Sequence, residues 1–215
     1  MGRRGEHSKE ALAGLALDAA VQLLEEEGPD RLTTRAVAGR IGYTVGSLYF
    51  LFRNRDDLVL QVNGRTLDEL RAAIELALVE CTDTRLALLA MGRAYLGFAA
   101  RHPARWRLIF EHGLPAETAL PATLVGKIDG FFSLVAGYLA RLVPGLDSRE
   151  ARRSAQALWS GVHGVTVLAI TGKLEVGGDA AAESLAEDLI DYYLDGLTAA
   201  RASAVGPADP ASLRE

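Results

Sequence analysis

The sequence predicts an all-α protein of about nine helices. Apolar residues recur at three- and four-residue steps along most of the chain, and no stretch of the sequence shows the sustained alternation that marks a strand. Glycine and proline residues separate the helical stretches. The clearest interruptions are Gly28-Pro29, His102-Pro103, Gly113-Leu114-Pro115, Pro144-Gly145 and Gly177-Gly178.

The first four predicted helices each follow a residue whose side chain can cap them. The first carries an apolar stripe from Leu12 to Leu24 and stops at Gly28-Pro29. Between the second and the third, Gly42 is suited to a tight turn with positive φ. The capping residues are Ser8, Thr33 or Thr34, Thr44 and Asn54, and the last three helices cover 35–41, 45 to about 51, and 55 to about 80.

The sequence predicts two domains and a tail. A helix-turn-helix domain is expected over 1–62, with an N-terminal arm at 1–7, and a second helical domain over 63–201. Residues 202–215, which include two prolines and a glycine, are expected to form a flexible tail. The second domain contains five further predicted helices, near 83–101, 103–112, 121–143, 148–174 and 180–201.

The charge of the chain is unevenly distributed. The 215 residues carry a net charge of −5, which by itself argues against a protein that faces DNA phosphates. Residues 56–215 account for −6, whereas residues 1–55 carry +1. The window 31–55 contains five arginines and no acidic residue. A nucleic-acid surface is therefore expected in this window and not elsewhere.

Several classes of protein are disfavoured by the sequence. Cys81 is the only cysteine, which excludes an internal disulfide and a cysteine-based metal site and agrees with a reducing cytoplasm. The sequence contains no phosphate-binding glycine loop, nucleophile elbow or HExxH pattern. His102, His112 and His163 lack a metal-ligand spacing. We therefore predict that the protein is not an enzyme and has no metal and no cofactor.

A membrane location is also disfavoured. The N-terminus has no unbroken apolar run of the kind found in secretory signals. The stretch 154–172 contains nineteen residues without a charge, close to the length that spans a bilayer. It also contains glutamine, histidine, serine, threonine and three glycines, so we expect a buried helix and no membrane partner.

The stretch 33–55 has the pattern of a helix-turn-helix, in which the second short helix enters the major groove of DNA by its N-terminal end. Small and polar residues are expected at that end, and Thr44, Gly46 and Ser47 occupy it. Leu48 supplies the buried face, so Tyr49 should point outward, where its hydroxyl can reach a phosphate. The alternative to a DNA-binding motif is structural. The stretch would then be two short helices of an all-α protein that binds no DNA, and its arginines would lie on a solvated face.

Residues 8–62 resemble the DNA-binding domain of TetR/AcrR-family transcriptional regulators. The resemblance rests on the stretches 33–38 (TTRAVA), 42–52 (GYTVGSLYFLF) and 54–58 (NRDDL). It implies that Thr34, Tyr49 and Arg55 hold phosphates of double-stranded DNA. It also places six residues at or near base edges, and Thr33 and Arg40 complete the predicted surface. The six are Arg35, Thr44, Val45, Gly46, Ser47 and Phe50.

The chain departs from the family pattern at two positions and lacks the usual base-reading side chains. Leu51 stands where histidine is frequent, and Tyr43 where valine or isoleucine is usual. The predicted recognition helix contains no Arg, Lys, Asn or Gln, the residues that pair with guanine or adenine edges. Four sources of specificity remain open. They are Arg35 or Arg40, thymine-methyl contacts by Val45 or Phe50, an N-terminal arm with Arg3 and Arg4, and DNA shape.

The C-terminal half carries a second resemblance. Trp159, His163 and Gly164 match the Trp-x-x-x-His-Gly motif of one TetR-type C-terminal domain. In that family the last two long helices form a four-helix bundle with those of a second subunit. The resemblance therefore implies a homodimer on a palindromic operator. The apolar helix around 154–172 agrees, because a lone chain would expose a larger patch than monomers normally do.

The same resemblance implies an effector pocket for a small apolar or amphipathic molecule that releases a repressor from its operator. Aromatic residues at helical spacing also commonly form a core, and an effector-independent DNA-binding protein, such as one that organises the nucleoid, is the alternative function. The candidate pocket residues are Met91, Tyr95, Phe98, Trp106, Phe110, Ile128, Phe131, Phe132, Trp159 and His163.

Overall fold

A computed structural model describes residues 8–114, 119–178 and 180–204 of the chain. These residues form nine α-helices, two short 3₁₀ turns at Pro29–Arg31 and Leu174–Gly177, and no strand, as the sequence predicts. The arm at 1–7, with Arg3 and Arg4, and residues 205–215 of the tail lie outside the described residues. The helices are α1 (Lys9–Glu27), α2 (Thr34–Ile41), α3 (Val45–Leu48), α4 (Arg55–Leu78), α5 (Thr84–Arg101), α6 (Pro103–Glu111), α7 (Ala122–Leu142), α8 (Ser148–Ile170) and α9 (Ala182–Ala204).

Polar side chains cap the first four helices at the predicted positions. The Thr33 hydroxyl, and not that of Thr34, accepts the hydrogen bond at the start of α2. Each cap satisfies one backbone N–H that the first helical turn leaves without a partner. The acceptors are Ser8 Oγ for Ala11 N at 3.2 Å, Thr33 Oγ1 for Ala36 N at 3.1 Å, Thr44 Oγ1 for Ser47 N at 3.3 Å and Asn54 Oδ1 for Asp57 N at 2.8 Å.

Three helix ends differ from the prediction. The α3 helix ends at Leu48 and not near 51, because the backbone tightens into a turn in which the N–H groups of Leu51 and Phe52 both donate to the Leu48 carbonyl at 2.9 Å. The α8 helix ends at Ile170, since Gly172 takes a positive φ of 65° that stops the helix. The α9 helix extends three residues further than predicted, to Ala204.

The chain divides into two compact units. One is Met1–Arg71 with Phe98–Ile128, and the other is Ala72–Gly97 with Asp129–Glu215. In the first unit, α1, α2, α3 and the start of α4 enclose a continuous apolar core. Leu24, Val37, Leu48, Phe52 and Leu58 are fully buried there. The predicted domain boundary at 62/63 falls inside α4 and stays a prediction.

Two helices pack along each other in the second unit. The α8 and α9 helices form the most extensive helix–helix contact among the described residues. Gly161 makes this approach possible, because a Cβ atom there would lie 3.0 Å from the Leu189 side chain. Asp147 and Glu150 form a capping box that fixes the start of α8. Gly161 therefore lies where these two helices pack closely within a single chain.

The α7 helix is the one described helix long and apolar enough to cross a bilayer by length and composition. It is not the uncharged stretch 154–172 that the sequence brought into question. Leu124 and Leu139 of α7 are buried, although most residues of its apolar stretch are not. A single such helix is weak evidence for a membrane span, because a helix that covers a protein core passes the same test.

Candidate nucleic-acid interface

The turn between α2 and α3 depends on Gly42. Its φ of 72° lies in the left-handed region that favours glycine, and the backbone closes there because Tyr43 N donates to Ala38 O at 2.9 Å. Leu48 and Phe52, both fully buried, anchor α3 against the core of the first unit. The short α3 helix is thereby fixed with one side inward and the opposite side toward solvent.

The solvent side of α3 and the turn that follows it present aromatic side chains and small residues. Tyr49 is 60% exposed and Phe50 is 82% exposed. Thr44 and Gly46 are exposed as well, and the Thr44 and Ser47 hydroxyls lie 2.9 Å apart in a hydrogen bond. The outward position predicted for Tyr49 is confirmed.

The predicted DNA-binding residues divide into two groups by exposure. Val45 is half-buried and packs against the core of the first unit, as does Leu51, which replaces the frequent histidine. The base-edge and phosphate roles of these residues stay predictions. The exposed members are Arg35, Arg40, Thr44, Gly46, Tyr49, Phe50 and Arg55, and the half-buried ones are Thr33, Thr34, Val45 and Ser47.

Three of the five arginines in the window 31–55 form ion pairs with acidic residues just outside it. Arg31 Nε lies 3.2 Å from Glu27 Oε2, and Arg40 pairs with Glu26. Arg53 Nε lies 3.3 Å from Asp57 Oδ2. The positive window is therefore partly neutralised by its flanks. The i,i+4 spacing of the first and third pairs was visible in the sequence, but the contact between α1 and α2 was not.

The pair of Arg53 and Asp57 also shifts the pKa of both groups. The hydrogen bonds to Asp57 raise the pKa of the Arg53 guanidinium. Burial raises the pKa of Asp57, but the hydrogen bonds from Arg53 outweigh it and leave that pKa below its ordinary value. Both groups therefore stay charged across the physiological range.

Arg55 is engaged with the protein backbone. Its Nε donates to Leu32 O at 3.1 Å and its Nη2 to Pro29 O at 2.8 Å, which ties the start of α4 to the segment before α2. Within the part of the chain that the structure describes, Arg35 is the one arginine of the window with no ion pair or hydrogen bond through its side chain. Arg55 thus has a positioning role that the sequence did not reveal.

The α6 helix is fastened to the DNA-binding helices at both ends. His102, before its first residue, lies 2.9 Å from Glu25 of α1 (Nδ1 to Oε1), and His112, after its last, lies 3.1 Å from Asp56 of α4 (Nε2 to Oδ1). The sequence placed these histidines outside any metal site, but gave no sign of these partners. The described residues contain no group of three or more His, Cys, Asp or Glu that could hold a metal ion.

Arg105 links α6 to α4 inside the first unit. The side chain is 3% exposed, and its Nη2 lies 2.7 Å from Glu69 Oε2. Its Nε donates to the hydroxyl of the fully buried Thr66 at 3.4 Å. A buried arginine is tolerated because a carboxylate and a hydroxyl oxygen face it.

Four of the ten candidate pocket residues meet in the second unit. Tyr95 Oη and His163 Nδ1 are 2.9 Å apart, and the rings of Trp159 and His163 have centroids 4.9 Å apart. Phe132 meets Trp159 edge-on, with centroids 5.5 Å apart. Burial lowers the pKa of His163, so the imidazole is held neutral beside the tyrosine. Met91 and Phe131 belong to the same unit.

The other four candidates lie in the first unit. Trp106 and Phe110 of α6 pack with ring centroids 4.7 Å apart, and the Arg105 guanidinium lies 5.8 Å from the Phe98 ring. Ile128 is the last residue of this unit. The ten residues are thus divided between the two units, and the pocket stays a prediction.

The fold and the exposed recognition helix define a DNA-binding protein of the helix-turn-helix class. Residues 16–62 match the family model described as bacterial regulatory proteins of the tetR family. Residues 88–193 match the model described as the tetracyclin repressor-like C-terminal domain. The chain belongs to the TetR family and is a DNA-binding transcriptional regulator. The narrower Trp-x-x-x-His-Gly subtype stays a prediction.

Three relatives illustrate the range of the family. An uncharacterised HTH-type transcriptional regulator of Mycobacterium tuberculosis is 27% identical over 74% of this chain and 70% of its own. The HTH-type transcriptional activator FasR of Mycolicibacterium smegmatis is 28% identical over 73% of this chain and 71% of its own. The nucleoid occlusion factor SlmA of Edwardsiella ictaluri is 30% identical over 62% of this chain and 67% of its own.

Solved structures share the fold. A TetR-like transcriptional regulator from Rhodococcus sp. RHA1 superposes with a TM-score of 0.60 at 22% identity, covering 89% of this chain and 100% of that one. TetR-Q116A from Acinetobacter baumannii AYE, in complex with minocycline, gives a TM-score of 0.62 at 21% identity, covering 91% of this chain and 99% of that one.

Proposed function

We propose that the protein is a cytoplasmic repressor that leaves a palindromic operator when a small apolar or amphipathic effector binds in its C-terminal domain. The observation that carries the DNA-binding part is the α2–α3 pair. Its turn is set by Gly42, its inner face is anchored by Leu48 and Phe52, and its outer face exposes Tyr49 and Phe50. Such a surface fits the major groove of double-stranded DNA.

Dimerisation would supply the second recognition helix. The α8 and α9 helices expose apolar side chains in the single chain: Leu168 is 43% exposed and Tyr192 is 72% exposed. Covering these side chains with the same helices of a second copy removes apolar surface from water. The result is a symmetric homodimer, which matches a palindromic operator.

The cluster around His163 supports an effector site. Tyr95 and His163 form a hydrogen-bonded pair, the Trp159 ring packs on His163, and Phe132 meets Trp159 edge-on. Small-molecule sites commonly combine mostly apolar walls with a few placed polar groups. An effector with an apolar body and one hydrogen-bonding group suits this composition. The neighbour solved with minocycline is a ligand-bound protein of the same fold.

Regulation is tested in the native host. Deleting the gene should raise the transcripts of neighbouring genes, and a plasmid copy should restore them. A plasmid copy carrying Tyr49→Ala should not restore them, because this side chain belongs to the proposed DNA surface. Transcripts that fall on deletion would contradict repression, and unchanged transcripts across the genome would contradict a regulatory role at this growth condition.

An effector-independent DNA-binding role is the second candidate. It is favoured by the similarity to a nucleoid occlusion factor, at 30% identity. The two functions differ in where the protein sits on the chromosome. Chromatin immunoprecipitation should find a few sites beside regulated promoters for a repressor, whereas sites dispersed over a large part of the chromosome would favour the nucleoid role.

A further inference from the structure

We propose that Phe50 reads the operator through apolar contact with the C5-methyl group of thymine. The inference rests on the proposed operator binding and identifies which side chain reads it. Four sources of specificity were open from the sequence. For the thymine-methyl contact, the described residues favour Phe50 over Val45, and they show which arginines of the window are already engaged inside the protein.

Phe50 is exposed to an unusual degree for its size. It is 82% exposed in the turn that follows α3, beside Tyr49, which is 60% exposed. In the free protein this ring contributes little burial to the fold, whereas placing it against an apolar group removes its surface from water. The other exposed residues of the helix, Thr44 and Gly46, are small and leave the ring as the most prominent apolar group.

Val45, the other candidate for a methyl contact, already packs inside the protein. It is half-buried and packs against the core formed by residues such as Leu48 and Phe52. A side chain in that position cannot also present its full surface to a base. Between the two candidates, Phe50 is therefore the one that projects from the protein.

Most arginines that could read bases already contact other groups of the protein. Arg40 pairs with Glu26 and Arg53 with Asp57. An arginine that leaves such a pair for DNA exchanges one ionic contact for another, and its former carboxylate then stands near the phosphates. Arg55 holds two backbone carbonyls. Among the described arginines of the window 31–55, only Arg35 has no ion pair or hydrogen bond through its side chain. Few charged side chains of the window are therefore free to read bases.

Thymine is the base that an apolar side chain such as Phe50 can recognise. In the major groove it presents an acceptor oxygen and a C5-methyl group, and the other three bases present no methyl. Uracil has the same hydrogen-bonding edge and lacks only that methyl. Replacing thymine by uracil therefore removes the proposed contact and leaves base pairing intact.

The experiment uses full-length protein and a DNA fragment from its own upstream region, amplified once with dTTP and once with dUTP. Fluorescence anisotropy gives the Kd for each. The wild-type protein should bind the uracil fragment roughly tenfold more weakly, in the range expected for losing specific contacts. Phe50→Ala should weaken binding to the thymine fragment by a similar factor and bind both fragments equally.

Two control variants separate this role from general effects. Tyr49→Ala should weaken binding to both fragments and keep their ratio, since a phosphate contact does not read bases. Val176→Ala removes a side chain that is 89% exposed in the other unit and should change neither Kd. Circular dichroism should show that Phe50→Ala keeps the wild-type helix content, because an exposed ring contributes little to the core.

The outcomes are distinguishable. Failure of the wild-type protein to bind the thymine fragment would contradict the proposed function itself. Binding of both fragments with equal affinity would overturn only the thymine-methyl reading. A Phe50→Ala variant that still prefers the thymine fragment would overturn it too, because another residue would then read the methyl group.

Discussion

The arginines of the window 31–55 have different structural roles, although in the sequence they form one basic cluster. Arg31 is a surface residue whose side chain is 70% exposed in its ion pair with Glu27. Arg55 instead bridges the carbonyls of Pro29 and Leu32. Surface ion pairs contribute little to stability, whereas hydrogen bonds from a charged donor to backbone carbonyls contribute more.

Arg55→Ala should therefore lower the melting temperature by roughly 2–4 °C, the shift expected for losing about 1 kcal/mol in a protein of this size. Arg31→Ala, the matched control, should leave the melting temperature nearly unchanged. Differential scanning calorimetry measures both. Arg55→Lys should recover little, because one ammonium group lacks the planar fork that reaches two carbonyls. Equal melting temperatures for wild type and Arg55→Ala would contradict the positioning role.

A second residue-scale feature is the neutral imidazole of His163. Burial lowers the pKa of His163 below its ordinary value of 6.5. The unfolded chain therefore binds a proton in acid more readily than the folded chain at this position. By linkage, the free energy of unfolding should fall as pH falls through about 6.5 and level off once the folded protein is protonated as well.

His163→Gln should remove this part of the pH dependence. Urea unfolding of wild type and variant at several pH values between 5 and 7.5 gives the difference directly. The comparison isolates His163, because His102 and His112 keep their carboxylate partners in both proteins. Parallel curves for the two proteins would contradict a half-buried His163 whose pKa the fold lowers.

At the scale of elements, α6 is held to α4 by a buried polar contact. Arg105 is 3% exposed and faces Glu69 and Thr66. Removing one partner of a buried ion pair leaves a charge without compensation, which typically destabilises a protein by about 3–5 kcal/mol. Glu69 is 40% exposed on its side chain, and Glu25 Oε1 lies 3.7 Å from Arg105 Nη1, so water and a second carboxylate compensate in part and the effect should be smaller.

Glu69→Ala should lower the free energy of unfolding by about 1–3 kcal/mol. Glu27→Ala, which breaks an exposed pair with Arg31, should change it by less than about 1 kcal/mol. Chemical denaturation with both variants tests the difference. Equal stabilities for the two variants would show that Arg105 does not depend on Glu69.

Local features of these elements were predictable from the sequence, whereas contacts between elements were not. Gly42 and the capping residue Thr44 act within a few residues of the chain, so their pattern is visible in the sequence. The pair of Arg40 and Glu26 joins residues on two helices, and its charges cancel part of the apparent basic surface. The residue types in these contacts could be read from the sequence, but their partners could not.

The same distinction applies to the aromatic candidates. Their helical spacing was visible, but spacing alone does not tell which helices meet. The structure brings together Tyr95 and His163, which are 68 residues apart, and assigns Trp106 and Phe110 to the other unit. Only the tertiary fold separates these two groups.

At the scale of the whole molecule, charge and apolar surface have separate roles. All the acidic residues lie outside the window 31–55, and those that flank it partly neutralise its arginines. Tyr192 of α9 and Leu168 of α8 are exposed apolar residues on the two helices proposed to form the dimer. A charged residue at such a site would have to be buried against a second subunit.

The combined variant Leu168→Glu and Tyr192→Glu should therefore shift the protein from dimer to monomer at micromolar concentration, since paired carboxylates repel and lose hydration in an interface. Val176→Glu, at an exposed site outside both helices, is the control and should remain dimeric. Sedimentation velocity gives the mass of each. A wild-type protein that sediments as a monomer would contradict dimerisation through α8 and α9.

The central claim, that the α2–α3 surface binds an operator, is tested most directly by one competition measurement. Full-length protein is titrated onto a labelled fragment of its own upstream region, and unlabelled upstream or random DNA of equal length is added as competitor. We predict that the upstream fragment competes at least about 100-fold better than random DNA. This threshold is set below the specificity ratio that is usual for sequence-specific DNA-binding proteins. Equal competition by the two, or no binding at low salt, would contradict the claim.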